Sequence, residues 1–131
     1  MLLLIIFLVL LLLLVQVFLP GRYLAEQVGQ SAQMGPRDDL PEPSTELARS
    51  RRALANLQET LPIFLTVAIL SIVFGEEGWL SLLGACLYLF GRVAHLPCYL
   101  KGLTPWRSLA FLVALIGIAL MIIPLVPHIW R

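Results

Sequence analysis

The chain has 131 residues, of which 60% are apolar and only 13% charged, with a formal net charge of +1 and a mean hydropathy of +0.92. A soluble domain carries about twice that charged fraction, so the surplus apolar surface has to face lipid, in a single membrane domain spanning residues 1–131. The basic residues are too few and too scattered to track a phosphate backbone, which excludes nucleic acid as a partner.

Leu2 to Leu19 is an almost unbroken run of Leu, Ile, Val and Phe that stops at Pro20-Gly21. A cleaved signal peptide has a basic start, a shorter apolar stretch and a small-x-small cleavage site. None of these is present, so the run is expected to be a retained transmembrane helix over residues 2–19. A loop from Pro36 to Pro43 follows, after which Ser44 or Thr45 can cap a helix. That helix forms the second span, about 52–74, with polar first turns at or beyond the membrane interface.

Gly75-Glu76-Glu77-Gly78 is too short for anything but a tight connection, which makes the second and third spans antiparallel neighbours. The third span covers about 79–100. Its two cysteines, Cys86 and Cys98, fit neither a disulfide framework nor a metal spacing, and His95 and His128 have no Cys or carboxylate at ligand distance in the sequence. No phosphate loop or nucleophile elbow occurs, so no metal site is expected. A second connection around Gly102 to Pro105 leads to the fourth span, about 107–126, followed by Pro127 and the interfacial Trp130. With a rise of about 1.5 Å per residue, each segment can cross a hydrocarbon core of roughly 30 Å. The expected fold is all-α, a four-helix transmembrane bundle.

Of the nine basic residues, all but Arg131 fall in or nearest to the connection that holds Pro36–Pro43 and the connection around Gly102 to Pro105. The positive-inside rule then puts both connections in the cytoplasm and both termini outside. Ala110, Ala114 and Gly117 form one stripe on the fourth span, and Gly84, Ala85, Gly91 and Ala94 lie along the third; small residues let membrane helices approach closely.

Two polar stripes interrupt this apolar pattern. At 100° per residue, Arg92, His95 and Tyr99 fall within an arc of about 60° on the third span, and Arg52, Asn56 and Glu59 do the same on the second. Both stripes lie near the cytoplasmic ends of their helices, where Arg107 and Ser108 enter from the fourth. Ionisable groups inside a membrane are costly enough to mark a functional site by default. An internal network that only fixes helix register would also use such residues, with Glu59 neutralising an arginine. The charges do not balance, however, because Arg52, Arg92 and Arg107 face the single carboxylate of Glu59. A small ligand with carboxylates would complete the set through bidentate arginine pairs, with Glu59 free for a ligand ammonium and Asn56 for a peptide group.

Arg52-Ala53, Asn56-x-x-Glu59 and Pro62, then Arg92-Val93-Ala94-His95, Tyr99 and Arg107-Ser108, resemble in order and spacing the pattern of the MAPEG family, the membrane-associated proteins of eicosanoid and glutathione metabolism. The resemblance runs from about Arg49 to Ile123. It implies a homotrimer with glutathione bound between adjacent subunits on the cytoplasmic side. Arg52, Asn56, Glu59, Arg92, His95 and Tyr99 would hold the tripeptide, and Arg107 and Ser108 would sit by its sulfur, where a cation or hydroxyl donor favours the thiolate. Two departures stand out. Ala55 replaces an additional basic residue of the prostaglandin-forming members, which argues against prostaglandin synthesis, and Pro97 is expected to interrupt the third helix beside the site.

Two functions of different class follow. The first is a glutathione-dependent transferase or peroxidase, with Arg107 and Ser108 as catalytic residues, acting on lipophilic electrophiles or lipid hydroperoxides that arrive from the membrane. The second is a non-catalytic lipid-binding or scaffold protein of the same family. The retained Arg107-Ser108 pair favours the enzyme.

Overall fold

The computed structural model describes residues 1–131 and contains only helices. Helix α1 spans Leu2–Val28, the short α2 spans Gln30–Met34, α3 spans Thr45–Val73, α4 spans Trp79–Leu100 and α5 spans Trp106–Ile122. A 3-10 segment, Ile123–Trp130, continues from α5. Four helical stretches are long and apolar enough to cross a membrane: α1, α3, α4 and α5 with its extension. The protein is an all-α, multi-pass integral membrane protein.

The end of the first helix differs from that expected. Pro20 lies inside α1, which continues for two further turns to Val28. At about 1.5 Å per residue that length exceeds a hydrocarbon core of roughly 30 Å, so the last turns project beyond it, and there Arg22 meets Glu26 at 3.4 Å. The third helix has the expected bounds, and Pro97, expected to interrupt it, lies within a continuous α4. Membrane helices tolerate proline because the loss of one backbone donor can be absorbed locally.

Helix ends follow the local chemistry of the chain. The Leu47 backbone N–H donates to Ser44 Oγ at 3.2 Å, an N-cap that satisfies one otherwise free donor of α3. At the other end of α3 the N–H of Gly75 donates to Ile72 O and that of Glu76 to Ser71 O, with Gly75 at φ 71°. The end of α4 repeats the pattern, from Gly102 to Tyr99 O and from Leu103 to Cys98 O. These paired closures need a left-handed residue that glycine supplies without strain. They turn the chain sharply enough to make α3, α4 and α5 antiparallel neighbours.

The core is one cluster to which every spanning helix contributes, including Val9, Phe64, Tyr88 and Met121. The packing of α4 on α5 is the closest in the molecule. A Cβ on Gly84 would collide with Gly117 O, and one on Gly91 would lie 2.8 Å from both Ala110 O and Ala114 N. Gly84, Ala85, Gly91, Ala110, Ala114 and Gly117 are all buried, whereas Ala94 is exposed and lies off the packing stripe. At the end of the bundle away from the polar stripes, His128 Nε2 lies 2.8 Å from Glu76 Oε1, tying the 3-10 segment to the turn between α3 and α4.

Candidate functional site

The polar stripes of α3 and α4 meet at one level of the bundle. Arg92 is wholly buried and His95 is 2% exposed, positions that an apolar helix would ordinarily fill with Leu or Val. Arg92 Nη1 donates to Asn56 Oδ1 at 2.7 Å, a bond that crosses from α4 to α3. Its Nε and Nη2, together with His95 Nδ1, are buried with no partner in the protein. Unpaired buried donors are costly, so these atoms mark a place where a further polar group is wanted.

Beside them lies a cavity of about 280 Å³ lined by Asn56, His95, Tyr99, Arg107, Ser108 and Phe111. The start of α5 delivers Arg107 and Ser108 to it because the closure at Gly102 brings the chain straight back across the end of α4. Tyr99 forms the cationic corner: the Arg107 guanidinium lies 5.0 Å from its ring centre and that of Arg52 lies 6.0 Å away. The His95 ring stands 5.5 Å from the Tyr99 ring and 6.4 Å from that of Phe111.

The eight residues picked out by spacing therefore separate into three groups. Asn56, His95, Tyr99, Arg107 and Ser108 line the cavity, while Arg92 lies behind it, bonded to Asn56. Arg52 and Glu59 are exposed on α3 and do not contribute to the lining. Neither Arg52, Arg92 nor Arg107 forms an ion pair; the pairs in the chain are Arg22 with Glu26 and His128 with Glu76. An internal network neutralised by Glu59 is thus not what the side chains make.

Three participants were not picked out by spacing. Phe111 closes one wall of the cavity. One turn deeper, the Thr60 hydroxyl donates to Leu57 O at 3.2 Å, so in the 3.0 Å contact between Thr60 Oγ1 and Tyr88 it is the Tyr88 hydroxyl that donates. Tyr88 also stacks on Phe64, with ring centres 4.2 Å apart. The signal was present, since Tyr88 is four residues before Arg92 and Thr60 four after Asn56, on the same helix faces.

The donor set suits a small, flexible anion. The Arg107 guanidinium, an imidazole, two hydroxyls and a carboxamide line the cavity, with the buried Arg92 guanidinium behind Asn56 and no protein carboxylate in the lining, and the volume is at the small end for a ligand pocket. Arg52 and Glu59 stand exposed on α3, outside this lining.

Compared with known protein families, residues 1–126 match the MAPEG family. None of the curated proteins matches the chain.

Proposed function

Because the chain belongs to the MAPEG family, a family of membrane proteins of eicosanoid and glutathione metabolism, we propose that it is a glutathione-dependent transferase or peroxidase acting on lipophilic electrophiles or lipid hydroperoxides. The observation that carries this reading is the cavity between α3, α4 and α5, where buried arginine and histidine donors lack partners beside Arg107 and Ser108. Glutathione, with two carboxylates, an ammonium and two peptide groups, matches that donor set and supplies the nucleophilic thiol.

Each residue then has a task. Arg92, held by Asn56, offers its remaining guanidinium edge to a carboxylate, as charge-assisted pairs do best away from water. Arg52 and Glu59 on the rim provide one charge of each sign for the ends of a zwitterion. Arg107 places a cation, and Ser108 a hydroxyl donor, where negative charge develops on sulfur; preorganised donors of this kind contribute most in a dry site. Tyr99, between Arg52 and Arg107, keeps both guanidinium groups oriented through its ring face. The lipophilic partner would come from the membrane, past the exposed apolar faces of the helices.

In the same reading the functional unit is a homotrimer, with an adjacent subunit covering the rim that bears Arg52 and Glu59. The cavity end of the bundle and the two basic connections lie on the cytoplasmic side.

The test is calorimetric titration of the purified protein with glutathione, followed by the ultraviolet difference spectrum at neutral pH. Binding with a thiolate band, and conjugation of an aromatic electrophile or reduction of a lipid hydroperoxide above the detergent blank, is the expected result. Binding without either activity would favour the non-catalytic lipid-binding reading. No binding would reject the glutathione assignment.

A further inference from the structure

In the apolar run from Leu2 to Leu19, Gln16 is the one polar side chain. It is 1% exposed, and neither its amide oxygen nor its amide nitrogen is bonded within the protein. Leu or Met would fill the same space without the cost of a stranded amide. Polar groups buried inside a membrane domain are directed at one another across helices, so Gln16 calls for a counterpart on a neighbouring helix.

Helix periodicity and packing locate that counterpart. At 100° per residue Gln16 lies within about 40° of Leu2, Ile5 and Val9, the residues through which α1 joins the core with Phe64 and Tyr88. Its side chain therefore enters the bundle, facing α3 and α4. The depth follows from its neighbours in sequence. Leu12 and Val15 stand with Leu89 and Val93 of α4 around one groove, and Val17 stands with Leu54 and Ala55 of α3 around another. Arg92 precedes Val93 and Asn56 follows Ala55, so Gln16 points inward at the level of the bond that joins Arg92 to Asn56.

Four other buried side-chain atoms lack partners: Arg92 Nε and Nη2, His95 Nδ1 and Ser81 Oγ. Ser81 is eleven residues before Arg92, roughly 16 Å away along α4, and His95 opens onto the ligand cavity. Arg92 alone lies behind that lining. Its guanidinium is a donor-only group with hydrogens to spare, and Gln16 Oε1 is an acceptor left over at the same level.

We propose that Gln16 is the positioning residue of Arg92, its amide oxygen accepting the Nε hydrogen directly or through one water. Asn56 Oδ1 already takes one hydrogen of Nη1. Held at two corners, the guanidinium plane turns the edge between Nη1 and Nη2 toward the cavity, and that edge pairs with a carboxylate through two parallel bonds. Arg92 then binds without first giving up side-chain freedom. The consequence for glutathione affinity rests on the function proposed above; the pairing of Gln16 with Arg92 does not.

Infrared spectroscopy of the purified Gln16→Glu protein at neutral pH reads the pairing without any ligand. A carboxyl beside a guanidinium stays ionised, whereas one buried among leucines holds its proton. Carboxylate bands are expected, and adding Arg92→Met should replace them with the carbonyl band of a protonated acid. That carbonyl band in Gln16→Glu alone, or carboxylate bands that survive Arg92→Met, would overturn the proposal. In Gln16→Met, which keeps the length of the side chain, the glutathione dissociation constant measured by calorimetry should rise roughly ten-fold, the worth of one hydrogen bond to a charged group. If the parent binds no glutathione, the proposed function is rejected and the infrared bands still decide the pairing; if the parent binds and Gln16→Met binds equally well, the positioning role is overturned. Should Gln16→Glu not fold, the thermal midpoints of Gln16→Met, Arg92→Met and the double variant decide: partners lose less together than the sum of the single losses, and losses that simply add overturn the pairing.

Discussion

At the scale of single residues, Arg92 is the most exacting choice in the chain, a wholly buried cation with one bond to Asn56 and two nitrogens left over. Arg92→Ala should weaken glutathione binding by about 2–5 kcal/mol, the usual cost of removing one partner of a buried charged pair, as read by calorimetry in detergent; unchanged affinity would reject its role. Arg107 and Glu59 should fail differently. Arg107→Ala should lower kcat by roughly 10²–10³ with affinity less affected, while Glu59→Ala should chiefly raise KM for glutathione, the mark of lost ground-state binding. Deeper in the bundle, Tyr88 donates to Thr60, so the two halves of that bond are unequal. Tyr88→Phe should cost about 1 kcal/mol of stability, and Thr60→Val, which strands a buried donor, about 1–3 kcal/mol, in unfolding titrations of the detergent-solubilised protein. Spacing singled out Asn56, His95, Tyr99, Arg107 and Ser108 because polar and ionisable side chains grouped at helical intervals stand out against Leu and Val. Tyr88 and Thr60 extend the same stripes by one turn but are easily taken for ordinary packing residues, and the buried, unpartnered Gln16 lies on neither stripe, so a single amide in an apolar helix carried no signal.

At the scale of elements, the contact between α4 and α5 sets where Arg107 and Ser108 stand relative to His95 and Tyr99. Gly117→Ala would drive a methyl group into Gly84 O and to within 2.7 Å of Tyr88 N. We expect it to cost about 1–3 kcal/mol, as overpacking does, and to lower activity by misplacing the start of α5. Ala94→Leu, on the outward face, should change stability by less than about 0.5 kcal/mol. Differential unfolding of the two variants separates a packing stripe from mere helix composition. The sequence showed this stripe, the Ser44 cap and both glycine closures, because each depends on residues within a few positions of one another. It did not show that α1 continues past Pro20 or that α4 runs unbroken through Pro97, where the membrane helix outweighs the local bias of proline. Nor could it show α2 and the clasp of Gln27 on Glu42 and Ser44, whose bonds join residues 15 and 17 positions apart.

At the scale of the whole molecule, the placement of arginines predicts both termini outside and the loop Pro36–Pro43 in the cytoplasm. A single cysteine introduced at Asp38 should resist an impermeant external reagent in intact cells and react once the membrane is opened; labelling of intact cells would reverse the orientation and turn the site away from cytoplasmic glutathione. The glycine contacts also bear on motion. Helices α4 and α5 approach too closely to slide past one another, so they move as one plate, and α3 is the plate opposite. Stacking of Phe64 on Tyr88 pins the two plates deep in the bundle, while near the cavity the Arg92–Asn56 bond crosses the same seam. The seam should therefore breathe about Tyr88 as a pivot, widest beside Tyr99 and Arg107, and a ligand bridging Asn56 to Arg107 would hold it shut. Amide hydrogen exchange is expected to be fastest around Asn56 and Ser108 in the free protein and to slow there, with little change near Phe64, once glutathione is added.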